Sequence, residues 1–280
     1  MKPQRPDHPR ATAAKAILTG GAGRWLILLA AILLLMPSLL PPFAQPQDYH
    51  AYADRRGWIG IPNFGDVVSS AAFLWIGLTG LWTLRRPSVS QMPATLRHAY
   101  ATMFTGLALA AFGSAYYHWA PSDARLVWDR LPIALVFMPL LAATLVERLR
   151  LRSDAALLVL SLLGIASVVF WKISGNLTPY LVAQIGAIVL LAAALLLLPA
   201  TWSGRGWMFA ALAGYVVAFF CERFDAAIFA FTDCLVSGHT CKHLAAAFAF
   251  CFIIAMLRRQ RRIRTAPETA ADAADRQGTA

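Results

Sequence analysis

Apolar residues in this chain come in long blocks, without the sustained period-two alternation that barrel strands show. Eight blocks can be read, at roughly 25–43, 64–84, 99–118, 131–147, 155–173, 180–199, 206–222 and 239–257. A helix rises about 1.5 Å per residue, so roughly 20 apolar residues cross the hydrocarbon of a bilayer. Prolines and charges punctuate the gaps, as in "RRPS", "APSD", "ERLRLRSD" and "SGNLTPY". The pattern predicts an all-α fold, a polytopic membrane helix bundle.

Composition agrees with that pattern. Of 280 residues, 59% are hydrophobic and 14% charged, more apolar and less charged than a usual soluble domain. The net charge of +11 raises the possibility of a nucleic-acid partner, but its distribution argues against one. With the N-terminus inside, 18 of the 25 Lys and Arg residues fall on the cytoplasmic side. The basic excess is therefore first a topology signal, and secondarily an attraction to anionic headgroups. Residues 1–24 read as a basic cytoplasmic segment and 25–43 as a first transmembrane helix. "PPFAQ" is a poor cleavage site, so that helix is expected to be retained as an anchor rather than removed as a signal peptide. The tail 265–280 is small and polar and is expected to be disordered.

The outer ends of the blocks collect the polar residues. Ser114 and His118 close the third block, Asp129 opens the fourth, and His239 and His243 open the eighth. Residues four apart share one face of a helix, so His239 and His243 can grip one ion, as the pair in H-E-x-x-H helices does. His118 would complete three imidazoles, the catalytic zinc pattern with one open position. Imidazole also suits copper, iron and nickel. Zinc is favoured because no redox motif accompanies the histidines. Asp129 could act as base and then acid on a water, and Ser114 could donate to an oxyanion. Lys242 and Arg130 flank the site and could meet polar headgroups. Each group also has a plain alternative. A histidine can sit at headgroup level, a serine can bond its own helix, and Asp129 can cap a helix. Tyr116, Tyr117, Trp119 and Trp128 read as an interfacial aromatic belt.

The stretches "GSAYYHWAPSDARLVWDRLP" and "SGHTCKHLAAA" resemble the alkaline ceramidase family, part of a superfamily of seven-helix membrane hydrolases that includes the adiponectin-receptor-like proteins. "IPNFGDVVSSAAFL" resembles the start of that family's first core helix. The resemblance covers 63–257. It implies a seven-helix core plus one extra N-terminal transmembrane helix. It further implies zinc on His118, His239 and His243, Asp129 acting on water, Ser114 on the oxyanion, and hydrolysis of the amide bond of ceramide or a related N-acyl lipid. Two departures stand out. Some members hold calcium through acidic residues before the first core helix. Here only Asp48, Asp54 and Asp66 are nearby and Asn63 takes an acidic position, which weighs against calcium. Ser70 stands where the family often has Asn. Compact loops and the basic bias suit a bacterial inner-membrane protein with both termini cytoplasmic and the site on the periplasmic side.

Smaller features leave alternatives open. Glu222 or Asp225 could orient a zinc-binding histidine or belong to a solvated loop. Cys234 and Cys241 could pair on an oxidising side. Trp171 and Lys172 read as a helix-end anchor. An ester-cleaving lipid hydrolase, a zinc-containing receptor without turnover, and a transporter are the competing functions.

Overall fold

The computed structural model describes residues 16–263. Part of the basic segment 1–24 and all of the tail 265–280 lie outside the described residues. The rest is helical, with two isolated single-residue bridges in place of strands among the described residues. In chain order the helices are α1 (Gly21–Leu39), α2 (Phe64–Ser69), α3 (Ala71–Thr83), α4 (Pro87–Ser90), α5 (Ala94–Trp119) and α6 (Asp123–Leu149). There follow α7 (Ala155–Ser174), α8 (Thr178–Leu197), α9 (Arg205–Arg223), α10 (Asp225–Phe231) and α11 (Gly238–Arg259).

Six spans, counting α2 and α3 together as one, are long and apolar enough to cross a membrane, and α9 with α10, bent by 80°, would make a seventh. The sequence pattern gave eight crossings. The difference lies in α5, which has 26 residues but carries Arg97, His98, Thr102, Thr105, Ser114 and His118. Its hydropathy is lowered by the same polar residues that make it interesting. Large apolar side chains such as Trp75, Leu158, Leu196 and Phe219 remain more than half exposed on the outside of the bundle. Lipid, rather than protein, is the natural partner for such a surface.

α6 is the central packing element, lying against α5, α7 and α8. α11 packs on α9 and α3, and α3 packs on α5. α1 lies outside the rest, chiefly on α8. α6 and α8 on one side face α9 and α11 on the other across a narrow apolar crevice, lined by Phe137, Leu140, Leu191, Tyr215, Phe250 and Ile253 among others.

Local chemistry fixes the ends of α6 and α11. Ser122 caps α6 by accepting from the Arg125 amide, and Ser237 caps α11 by accepting from the Thr240 amide, which satisfies otherwise unpaired first-turn donors. α6 thus begins eight residues before the 131–147 block. Asp129 lies in its second turn, so it does not cap the helix. Two glycines set the spacing. A Cβ at Gly113 would stand 2.0 Å from the Trp128 carbonyl oxygen, and one at Gly238 2.3 Å from that of Cys221. α5 can approach α6, and α11 can approach α9, because neither glycine has a side chain there.

Candidate metal centre

The three histidines predicted to converge do so. His118 comes from the last turn of α5, and His239 and His243 from the first two turns of α11. Each offers one ring nitrogen, and these three atoms lie within 4.8 Å of one another. His118 Nε2 and His239 Nε2 are 3.2 Å apart. Two nitrogens bound at about 2.0–2.1 Å to one tetrahedral ion stand about 3.3 Å apart, so the spacing fits. All three rings are buried, at 1–3% exposure. Three basic nitrogens facing one another, with no acid between them, form a donor set that a divalent cation satisfies better than a shared proton does. The group could hold a metal ion and is compatible with zinc.

The surrounding groups orient the rings. Ser69 Oγ lies 2.8 Å from His243 Nδ1 and donates onward to the Asp66 carbonyl at 3.2 Å. That leaves Nε2 of His243 for the centre. Asn63, in a left-handed conformation at φ 45°, donates to the His118 carbonyl at 2.7 Å. Asp225 accepts from the His239 amide at 2.8 Å and from the Ala53 amide at 2.9 Å. It ties the loop before α2 to the start of α11. Glu222 stands 4.0 Å from His239 Nδ1 and takes a hydrogen bond from Lys242. Both candidates for orienting a histidine therefore contact His239, Asp225 through the backbone and Glu222 at the edge of contact with the ring.

Ser114 and Asp129 also meet. Gly113 lets α5 close on α6, which brings Ser114 within reach of the Asp129 carboxylate. Ser114 is buried and in turn lies 3.1 Å from Ser70 Oγ. Lys242, Arg130 and Glu222 all act on Asp129 through space, so the carboxylate sits in a buried field of mixed sign.

The structure corrects several smaller expectations. Tyr117 is not part of the aromatic belt. It is 1% exposed, whereas Tyr116, Trp119 and Trp128 are about half exposed. Its hydroxyl accepts from Tyr52 and lies 2.8 Å from His50 Nδ1. Trp171, read as a helix-end anchor, is buried in the last turn of α7. The four cysteines are free thiols, so Cys234 and Cys241 do not pair. Arg56 grips Asp54 with two side-chain bonds of 2.8 Å, and these bonds hold that carboxyl below its usual range.

Tyr52 is the main site residue that the sequence concealed. Its ring lies 4.3 Å from that of His239 and 4.9 Å from that of His118, covering the histidines from the loop side. Burial raises its pKa far above the ordinary tyrosine value, so the phenol stays protonated. Nothing in "HAYADRRG" marks this tyrosine, because its role depends on a loop that returns over the site.

No protein-family model, curated protein or solved structure matches the chain. The functional reading therefore rests on the residues and their geometry.

Proposed function

We propose that this chain is a zinc-dependent membrane hydrolase that cleaves the amide bond of ceramide or a related N-acyl lipid. The observation that carries the proposal is the meeting, at one point between helix ends, of three converging imidazoles with a Ser114–Asp129 pair. A closed structural zinc would have four protein ligands, while three leave a position for chemistry. The resemblance of "GSAYYHWAPSDARLVWDRLP" and "SGHTCKHLAAA" to the alkaline ceramidases supports the same reading.

A zinc ion on His118, His239 and His243 would supply Lewis acidity, polarising a carbonyl oxygen and easing loss of a water proton near neutral pH. The protein's own groups do the rest. Asp129 accepts the proton of the attacking water. Once protonated, it no longer draws the Ser114 hydrogen, and that hydroxyl is free to donate to the oxygen that gains charge as water adds to the carbonyl. Asp129 then gives its proton to the leaving nitrogen as the C–N bond breaks. The products are a fatty acid and an amine. Tyr52 and the loop before α2 shield the site from bulk water. The narrow crevice between α6, α8, α9 and α11 presents an apolar lining toward which an acyl chain could lie.

The test is a lipid-hydrolysis screen by mass spectrometry on zinc-loaded protein. Release of fatty acid from amide-linked lipids, abolished in His239→Ala, is the expected result. Cleavage of ester lipids alone would favour the ester-cleaving alternative. A zinc-loaded protein that cleaves neither would sink the hydrolase reading.

A further inference from the structure

Arg130 presents a problem that the proposed chemistry does not solve. It follows Asp129 on α6, it is 5% exposed, and one guanidinium nitrogen, Nη1, is buried with no hydrogen-bond partner. Nη2 donates to Gln45 Oε1, a neutral acceptor, at 2.6 Å. Arg130 makes no ion pair with a carboxylate among the described residues. A guanidinium taken out of water with a donor unmet is costly, and burial without a paired anion is worse.

Its surroundings hold the cation in place, while Asp129 acts on it only through space and makes no contact with the fork. The guanidinium carbon stands 4.2 Å from the Trp171 ring centroid, 4.8 Å from that of Tyr180 and 5.7 Å from that of Tyr49. These faces attract the charge and fix the plane of the fork. Tyr49 is 37% exposed, so one wall of this enclosure reaches the outer surface. The other cation near the site, Lys242, is already bound to Glu222. One turn further along α6, a small apolar crevice lies between α6, α7 and α8, with Ala134, Phe137 and Tyr180 in its lining.

We infer that the Arg130 guanidinium is a recognition site for an oxyanion, carboxylate or phosphate, carried by the lipid beside its scissile amide. Arginine suits this role because its planar fork meets two oxygens of such a group at once. The anion would occupy Nη1 and offset the buried charge, while the adjacent Asp129 keeps its place at the amide. This inference rests on the hydrolase reading for the position of the scissile bond. It narrows the substrate from any N-acyl lipid to an anionic one, for which neutral ceramide is the poorer fit.

The experiment compares matched substrates on zinc-loaded protein in neutral detergent. N-Dodecanoylglycine is set against its methylamide, and N-dodecanoyl-O-phosphoethanolamine against N-dodecanoylethanolamine. The wild type should prefer the charged member of at least one pair by about tenfold or more in kcat/KM, as a charge-assisted bond would give. The pair that shows the larger ratio distinguishes carboxylate from phosphate. Arg130→Gln should bring that ratio close to one, and Arg130→Lys should keep part of it. Should Arg130→Gln fail to fold, the wild-type ratio and Arg130→Lys decide. A second arm needs no turnover: laurate or dodecyl phosphate should raise the melting temperature of the wild type more than that of Arg130→Gln. If no lipid is cleaved, the hydrolase reading fails and this arm alone decides the anion site. Equal ratios for charged and neutral lipids in the wild type, or equal melting shifts with and without Arg130, would overturn it.

Discussion

Ser70 Oγ stands 3.1 Å from Ser114 Oγ and 3.0 Å from the Asp66 carbonyl oxygen. A single Ser70 proton serves both acceptors. When it goes to Ser114, the Ser114 proton is left for Asp129. The proposed mechanism needs that proton to move toward the substrate. Ser114→Ala should therefore keep its zinc and lose at least about tenfold in rate, or about 1.4 kcal/mol. Ser70→Ala should show a smaller loss in the same direction. Rate and metal content measured on the same preparations check this. A zinc-loaded Ser114→Ala at full rate removes the serine from the mechanism.

Gly113 decides whether Ser114 and Asp129 can meet. The Trp128 carbonyl facing it is backbone and cannot rotate aside. Gly113→Ala should push α5 from α6, lower stability by about 1–3 kcal/mol through overpacking, and reduce the rate more than the melting temperature suggests. A variant with unchanged melting and unchanged rate would show that the contact is not tight.

Asp225 holds the Ala53 and His239 amides together. Asp225→Ala should free the loop over Tyr52, seen as faster hydrogen exchange at Ala53. It should also weaken metal binding by about tenfold or more, as loss of an orienting carboxylate does. Unaltered exchange at Ala53 would contradict the clamp.

The Asp54–Arg56 clamp gives a pH signature. Arg56 holds the Asp54 carboxyl below its ordinary 3.8. A carboxylate whose folded pKa is depressed contributes stability that is complete above its unfolded pKa. That contribution is lost as pH falls through the folded value. The stability gap between wild type and Asp54→Asn should be constant from pH 8 to 6 and should close below about pH 4. A gap that grows on acidification would run against the assigned ion pair.

Much of this molecule was legible in its sequence, and the limits have physical causes. Long apolar blocks announced the helices, because lipid-facing and core-facing surfaces are both apolar. The spacing of Ser114 and His118, and of His239 and His243, placed each pair on one helical face. What brings the pairs together is a packing arrangement, and α5 was counted among the eight blocks although its polar residues lower its hydropathy. Tyr117 was opaque for a different reason. An aromatic residue near a helix end reads equally well as a headgroup anchor or a site wall, and only burial separates the two. Arg130 read as a headgroup contact. Its burial among Trp171, Tyr180 and Tyr49 is a tertiary fact.

The measurement that bears most directly on the account is the metal content of the purified protein, determined beside His118→Ala, His239→Ala and His243→Ala. The account predicts about one zinc per chain in the wild type and loss of most of it in each variant. A wild type without divalent metal after zinc loading, or variants that retain it in full, would contradict the central claim.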